Sequence, residues 1–258
     1  MITDCNAYTQ DAIFYDDWNA CVQSGDIGFF RTAAKAYFEG KQVIELACGT
    51  GRILGALADI IAGGVGIDLS EAMVAIAREK HTDVKNLSFE IGDMTACCAA
   101  SPADTVLCGY NSLQHLQQDG DIDGFFRNCH SLLKEDGVLI VDVFQPDARF
   151  LSVGGEYCKL GSFHSHRLGM PVEVSEYRKY DPDTQLNHLT TVYAYGEHSC
   201  KAAAVMRQFY NGTLEGFALR NQFRLLHKYG DYSGKPFDVS SPKQIYVFVK
   251  EPRHEATT

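Results

Sequence analysis

Short apolar stretches recur along the middle of this chain and alternate with helix-compatible segments. Val43 to Ala47, Val65 to Asp68, Leu87 to Ile91, Asp104 to Cys108 and Val138 to Phe144 read as strands. Between them lie Ile53 to Ile61, a helix opened by the N-cap Ser70, and Asp121 to Leu133. Strands alternating with helices predict a mostly parallel sheet covered by helices on both faces. The fifth strand is continuously apolar except for Asp142, so it is expected to be buried on both faces. Asp142 must then be paired or face a site. Gly137, closing Lys134-Glu135-Asp136-Gly137, is expected to supply a left-handed turn after the preceding helix.

After the fifth strand the period changes. Pro171 to Tyr180 and Leu186 to Tyr195 alternate in places, with turn chemistry in Asp181-Pro182-Asp183-Thr184-Gln185 between them, and a third strand is expected over Ala202 to Tyr210. A helix near Leu214 to Arg220 leads to closing strands around Phe223 to His227 and Gln244 to Lys250. Ahead of the first strand, Ala7 to Asn19 carries Tyr8, Phe14, Tyr15 and Trp18 among acidic residues, and a second helix is expected over Asp26 to Glu39. The aromatic helix either packs on the body or folds over a site as a lid that excludes water, with Tyr15 and Trp18 against the substrate.

Composition narrows the function. With 258 residues and 45% hydrophobic content, the chain can bury a full core as one large domain or one domain with an insertion. Its 23 basic and 33 acidic residues give a net charge of -10, which argues against nucleic acid or an anionic membrane as partner and favours a small molecule. No apolar run approaches the ~20 residues of a membrane span, and the N-terminus lacks a secretion-signal pattern. The 9 cysteines are odd in number and scattered, so a reducing, cytoplasmic location is expected. Cys97-Cys98 and His164-x-His166 lack metal-site spacing, no metal is expected, and no G-x-S-x-G nucleophile elbow is present.

The chemistry concentrates in Glu45-Leu46-Ala47-Cys48-Gly49-Thr50-Gly51-Arg52. An apolar strand breaks into two glycines and a helix follows, the arrangement of a cofactor loop whose backbone a ligand approaches closely. A dinucleotide fingerprint needs a third glycine three places after the second, but Gly55 comes one place too late. Asp68 ends the next strand, where an acid of a doubly wound fold accepts hydrogen bonds from ribose hydroxyls.

The loop order resembles the first motif of the class I S-adenosylmethionine-dependent methyltransferases. The segments Asp142-Val143-Phe144-Gln145-Pro146-Asp147 and Tyr229 to Phe237 are similar to a small-molecule branch that includes sugar N,N-dimethyltransferases and glycine/sarcosine N-methyltransferases. The resemblance implies an α/β, doubly wound, Rossmann-like seven-stranded sheet with an antiparallel β cap inserted after the fifth strand. The expected division is a helical lid over 1–40, a core over 41–150 and 211–258, and a cap over 151–210. Arg220-Asn221-Gln222-Phe223 departs from that branch, which usually carries a glycine-phenylalanine turn there.

The resemblance also implies S-adenosylmethionine as cofactor, with S-adenosylhomocysteine as product. Glu45 would compensate its sulfonium and amino groups. Ala47, Gly49 and Gly51 would pass along its methionine part, Asp68 and Leu69 would meet the ribose side, and Asp93 and Met94 the adenine. Gly109 completes the cofactor set, Met73 either joins it or is only core, and Arg31 either holds the cofactor carboxylate or is a solvated helix arginine. Tyr110, Asn111 and His115, after the fourth strand, are expected near the methyl group, His115 as a base or as a residue that shapes the pocket. The expected reaction is methyl transfer to a nitrogen or oxygen of a small metabolite by a monomer or homodimer. A non-catalytic sensor or partner subunit, a nicotinamide oxidoreductase and an RNA methyltransferase are the alternatives.

Overall fold

The computed structural model describes residues 2–6, 12–22, 25–32, 34–152 and 154–252. Seven strands form the larger sheet. These are β2 (Gln42–Leu46), β3 (Gly63–Asp68), β4 (Leu87–Ile91), β5 (Ala103–Cys108), β6 (Leu133–Phe144), β11 (Phe223–Tyr229) and β12 (Lys243–Lys250). They stand in the order β11-β12-β6-β5-β2-β3-β4. β2 through β6 pair in parallel, whereas β12 runs antiparallel to β6 and β11 antiparallel to β12. The strand order reverses between β2 and β5, and in such sheets ligands bind at the carboxyl ends beside that point.

Two apolar layers hold the sheet. On one face, Phe125 and Phe126 of α5 (Asp119–Leu132) and Phe217 of α7 (Thr213–Arg220) pack on Leu139, Val141 and Phe248. The other face carries Phe29 and Phe30 of α2 (Asp26–Arg31), Leu54 and Leu57 of α3 (Arg52–Leu57) and Val74 and Ala77 of α4 (Glu71–Lys80). Ser70 caps α4 as expected, accepting the Met73 N–H at 3.3 Å.

The second sheet runs β1 (Ile2–Asn6), β10 (His198–Arg207), β9 (Leu186–Tyr195), β8 (Met170–Asp181) and β7 (Tyr157–Ser165) in spatial order. β7 to β10 are antiparallel, but β1 lies parallel to β10. The cap is therefore not wholly antiparallel. A five-residue segment from the N-terminus covers its outer edge, too short to show a period.

Other boundaries also moved. The first helix, α1, spans Ala12–Val22, and Ala7 and Tyr8 lie outside the described residues. The expected helix over Asp26 to Glu39 stops at Arg31, where the Thr32 hydroxyl bonds back to the Gly28 carbonyl at 2.6 Å, and a 3-10 turn at Lys35–Tyr37 follows. α3 ends at Leu57, short of Ile61. The left-handed residue near the start of β6 is Asp136, at φ +59°, rather than Gly137. A Cβ on Gly137 would stand 2.8 Å from the Lys134 carbonyl, so glycine serves close approach there. A short helix, α6 (Ala148–Ser152), joins β6 to the cap.

Candidate active site

At the end of β2 the chain doubles back into α3, with φ of +54° at Ala47, +55° at Gly49 and +69° at Gly51. A non-glycine residue in that region costs ~1–3 kcal/mol, so Ala47 is a point of stored strain. Gly51 has two requirements, since a Cβ there would also lie 2.5 Å from the Phe89 ring. At Gly49 the nearest neighbour of such a Cβ is the Tyr15 ring of α1, 3.7 Å away.

Asp68 fixes this loop from the neighbouring strand. One carboxylate oxygen accepts the Gly49 N–H and the other the Ser70 N–H, both at 2.8 Å, so the strand-end acid joins the glycine loop to the start of α4. Burial pushes its carboxyl up, opposed by those two N–H groups.

Glu45, 2% exposed on β2, accepts the Leu54 N–H at 2.9 Å. Among the described residues no cation forms an ion pair with it, and burial pushes its carboxyl up to about 8. The Arg52 guanidinium is committed to Asp26 of α2 by bonds of 2.6 and 3.1 Å and lies 4.7 Å above the Tyr110 ring centroid. Its Nε is buried and meets no hydrogen-bond partner among the described residues. Tyr15, Glu45, Ala47, Arg52, Gly109 and Tyr110 line one narrow cleft.

At the ends of β3 and β4 two apolar side chains face solvent, Leu69 at 73% and Ile91 at 50% exposure. Exposed Asp93 follows, with Oδ1 accepting from the Thr95 N–H and hydroxyl at 2.7 and 2.8 Å. Met94 is half-buried against the core. This rim offers an apolar face and a carboxylate on the outer side of Asp68.

Tyr110 and Asn111 follow β5 with φ of +52° and +68°. The Asp142 carboxylate accepts the Tyr110 N–H at 3.0 Å and its main-chain carbonyl accepts the Asn111 N–H at 2.9 Å. Asp142 is fully buried and Lys243 Nζ stands 2.7 Å from its other oxygen. The Tyr232 hydroxyl also donates to the Asp142 carboxylate at 2.6 Å, so of the two expectations for Asp142 the first holds: it is paired, and it lies behind the cleft instead of facing it. Lys243 donates to Asn111 Oδ1 at 2.7 Å, which turns Asn111 inward instead of towards a methyl group.

His115 ends the 3-10 turn Ser112–His115, whose Gln114 amide bonds the Arg207 carbonyl of β10 at 2.9 Å. Burial pulls the imidazole below its ordinary value, which keeps it neutral near pH 7. Three other expected residues stand apart from the cleft. Arg31 is bound to Asp59 and the Ala56 carbonyl by the far end of α3, so the structure does not bring it to the loop. Met73 is buried at 1% exposure. Trp18 packs on the cap, its ring centroid 6.0 Å from that of Phe163.

α1 joins the two sheets. Its Asp16 accepts the Thr50 hydroxyl and pairs with Lys80, both at 2.7 Å, while Phe14 stacks on Tyr193 of the cap at 5.1 Å. Sequence reasoning missed Asp16, Asp26, Arg52, Tyr232 and Lys243. Arg52 carried a signal, since a cation opening a helix opposes the macrodipole and calls for a carboxylate partner.

Residues 43–137 match the model of a methyltransferase domain. Over 156 residues the chain is 31% identical to the dTDP-3-amino-3,6-dideoxy-alpha-D-glucopyranose N,N-dimethyltransferase of Streptomyces fradiae, covering 57% of this chain and 60% of the relative. A ubiquinone biosynthesis O-methyltransferase of Actinobacillus pleuropneumoniae is 28% identical over 142 residues, covering 51% and 58%. The chain thus spans less than two thirds of the length of these curated relatives. Among solved structures, the CcbJ methyltransferase of Streptomyces caelestis superposes with a TM-score of 0.80 at 22% identity, over 96% of this chain and 99% of that one. The sugar N-methyltransferase KedS8 of Streptoalloteichus gives 0.77 at 17%, over 97% and 96%. Residues 43–137 thus match a methyltransferase domain, and the chain as a whole shares the fold of these solved methyltransferases.

Proposed function

We propose that the chain transfers a methyl group from S-adenosylmethionine to a nitrogen or oxygen of a small metabolite. The observation that carries this reading is Glu45, a buried carboxyl with no ion pair among the described residues, beside a loop held open by left-handed residues. Ionising a buried carboxyl is costly, which is why this one is pushed up to about 8, and a ligand bearing sulfonium and ammonium groups would favour its ionised form. The remaining groups of the site suit the same molecule. Arg52 Nε is a buried donor for a carboxylate, Asp68 is placed for ribose hydroxyls, and Leu69, Ile91 and Asp93 offer an apolar face and an acceptor to an adenine.

When bound, the cofactor supplies a methyl group already activated by its positive sulfur. The protein's part is then to orient and to exclude water, and alignment alone is worth up to ~7–11 kcal/mol. Tyr15, packed over Gly49, covers the loop, and α1 ties that cover to both sheets. His115, neutral near pH 7, is placed in this reading to take a proton from the acceptor.

The cap over 151–210 is assigned to acceptor binding. Relatives named for an amino sugar and for sugar N-methylation favour a sugar amine, and the ubiquinone O-methyltransferase keeps a hydroxyl acceptor in view. The test is incubation of purified protein with S-adenosylmethionine and panels of amino sugars, small amines and phenols, read by mass spectrometry. A methylated product with stoichiometric S-adenosylhomocysteine is expected. Tight cofactor binding with no product on any acceptor would replace this reading by that of a non-catalytic binding subunit.

A further inference from the structure

The pair Asp142 and Lys243 lies one layer behind the cleft, on neighbouring antiparallel strands, and neither is among the residues that line it. Both are buried, at 0% and 6% side-chain exposure. Such a pair is poor value as a stabiliser, because desolvating two charges offsets most of their attraction. Its bonds indicate another use. Asp142 takes the Tyr110 N–H on its carboxylate and the Asn111 N–H on its carbonyl, and Lys243 takes Asn111 Oδ1. Every one of these bonds ends on the two consecutive non-glycine residues that β5 delivers in left-handed conformation.

That turn places the Tyr110 ring in the cleft wall beneath the Arg52 guanidinium. Tyr232 extends the network in the opposite direction. Its hydroxyl holds the same Asp142 oxygen that receives Tyr110, and its Cβ is 3.7 Å from where a Cβ on Gly25, just before α2, would stand. α2 in turn supplies Asp26 to Arg52. Tyr110 is thus braced from below by Asp142 and from above by Arg52, and both braces return to the N-terminus of α2.

We propose that Asp142 and Lys243 are positioning residues, whose charges hold the Tyr110–Asn111 turn so that Tyr110 forms a fixed wall of the methyl-transfer cleft. The proposal rests on the methyltransferase reading above and adds to it a role for two residues that touch neither cofactor nor acceptor. Tyr110 would relax towards right-handed backbone without them, and the cleft would lose a wall while the glycine loop, Glu45 and Asp68 stayed in place.

The test uses D142N/K243M, which removes both charges together and leaves neither buried alone, and the same double variant carrying N111G. Asn111 faces away from the cleft, and glycine adopts the left-handed conformation without strain. Cofactor affinity is read by calorimetry, kcat and KM by product formation, and the turn by the crystal structure of each variant. The expected result is kcat at least tenfold below wild type in D142N/K243M, with cofactor affinity within threefold and a relaxed turn, and recovery of at least threefold in kcat on adding N111G. Should D142N/K243M be insoluble, Y232F is the second variant, and a two- to fivefold fall in kcat at constant KM is expected. Unchanged kcat, or a left-handed turn retained at Tyr110 and Asn111 in D142N/K243M, overturns the proposal. If wild type neither binds S-adenosylmethionine nor yields product, the functional reading fails, and the crystal structures still decide whether the pair holds the turn.

Discussion

The two sheets of this molecule are built to different tolerances. Around the cleft each group is fixed by hydrogen bonds: Asp68 by the Gly49 and Ser70 amides, Glu45 by the Leu54 amide, Tyr110 by the Asp142 carboxylate, Arg52 by Asp26. In the cap the buried apolar cluster among the described residues is small, comprising Phe14, Phe163, Val172, Val174, Tyr193 and Ala202, and one of these comes from α1. The same chain therefore holds a rigid site beside a thinly packed one. Rigidity suits a ligand that never varies, and a lightly packed surface suits one that differs between family members.

Glycines give the sharpest break in this comparison. Gly51 and Gly169 share a left-handed backbone, at +69° and +66°. A Cβ at 51 meets the Phe89 ring at 2.5 Å, whereas at 169 nothing lies within 4 Å. Gly51→Ala is expected to destabilise by ~3 kcal/mol or more and to abolish cofactor binding, against ~1 kcal/mol and unchanged binding for Gly169→Ala, measured by chemical denaturation and calorimetry. Equal losses at the two sites would remove the distinction.

Next in size is the proton-taking role. His115→Asn is expected to lower turnover ~100-fold with cofactor affinity unchanged, because the imidazole acts on the acceptor. Unchanged turnover would leave His115 a pocket-shaping residue. Asp68→Ala is expected to weaken S-adenosylmethionine binding by ~1–3 kcal/mol through the lost acceptor. It should also loosen the protein, since the Gly49 and Ser70 amides lose their partner.

The order in which these residues came into view follows from their physics. Glu45, Gly49, Gly51 and Asp68 were legible because strand, glycine turn, helix and next strand-end acid follow one another along the chain. Tyr110 and Gly109 followed from strand order. Lys243, Asp26 and Asp16 were not legible, because each acts on a partner far away in sequence: Lys243 on Asn111, Asp26 on Arg52, Asp16 on Thr50. The core sheet was read strand by strand from its apolar runs, but β1 and β7 of the cap were missed. β1 is held by edge pairing, and β7 has most of its side chains exposed.

Glu45 gives a pH signature. Its carboxyl is raised in the folded protein to about 8, so the folded state binds the extra proton between the ordinary carboxylate value and that point. The stability it contributes is full below pH ~4.5 and is lost as pH rises towards 8, by about 1.4 kcal/mol per unit within that window. Cofactor affinity should move the other way, rising over the same range as the carboxylate becomes available to a cation. Glu45→Gln should flatten both profiles, and a wild-type affinity independent of pH would separate Glu45 from the cofactor.

The smallest effect belongs to the cap surface. Lys159 and Glu173 pair at 2.8 Å with both side chains more than half exposed. Lys159→Ala is expected to change stability by less than ~0.5 kcal/mol and cofactor affinity not at all. A larger loss would mean that the cap is more tightly coupled to the core than its packing indicates.

The central claim is that the loop after β2 is a preformed site for a cationic cofactor. Isothermal titration with S-adenosylmethionine, S-adenosylhomocysteine and NADH, on protein checked by mass spectrometry for co-purified ligand, tests it most directly. The account predicts saturable binding of the first two at one site per chain, with no heat from NADH. Binding of NADH alone, or of none of the three, would contradict it.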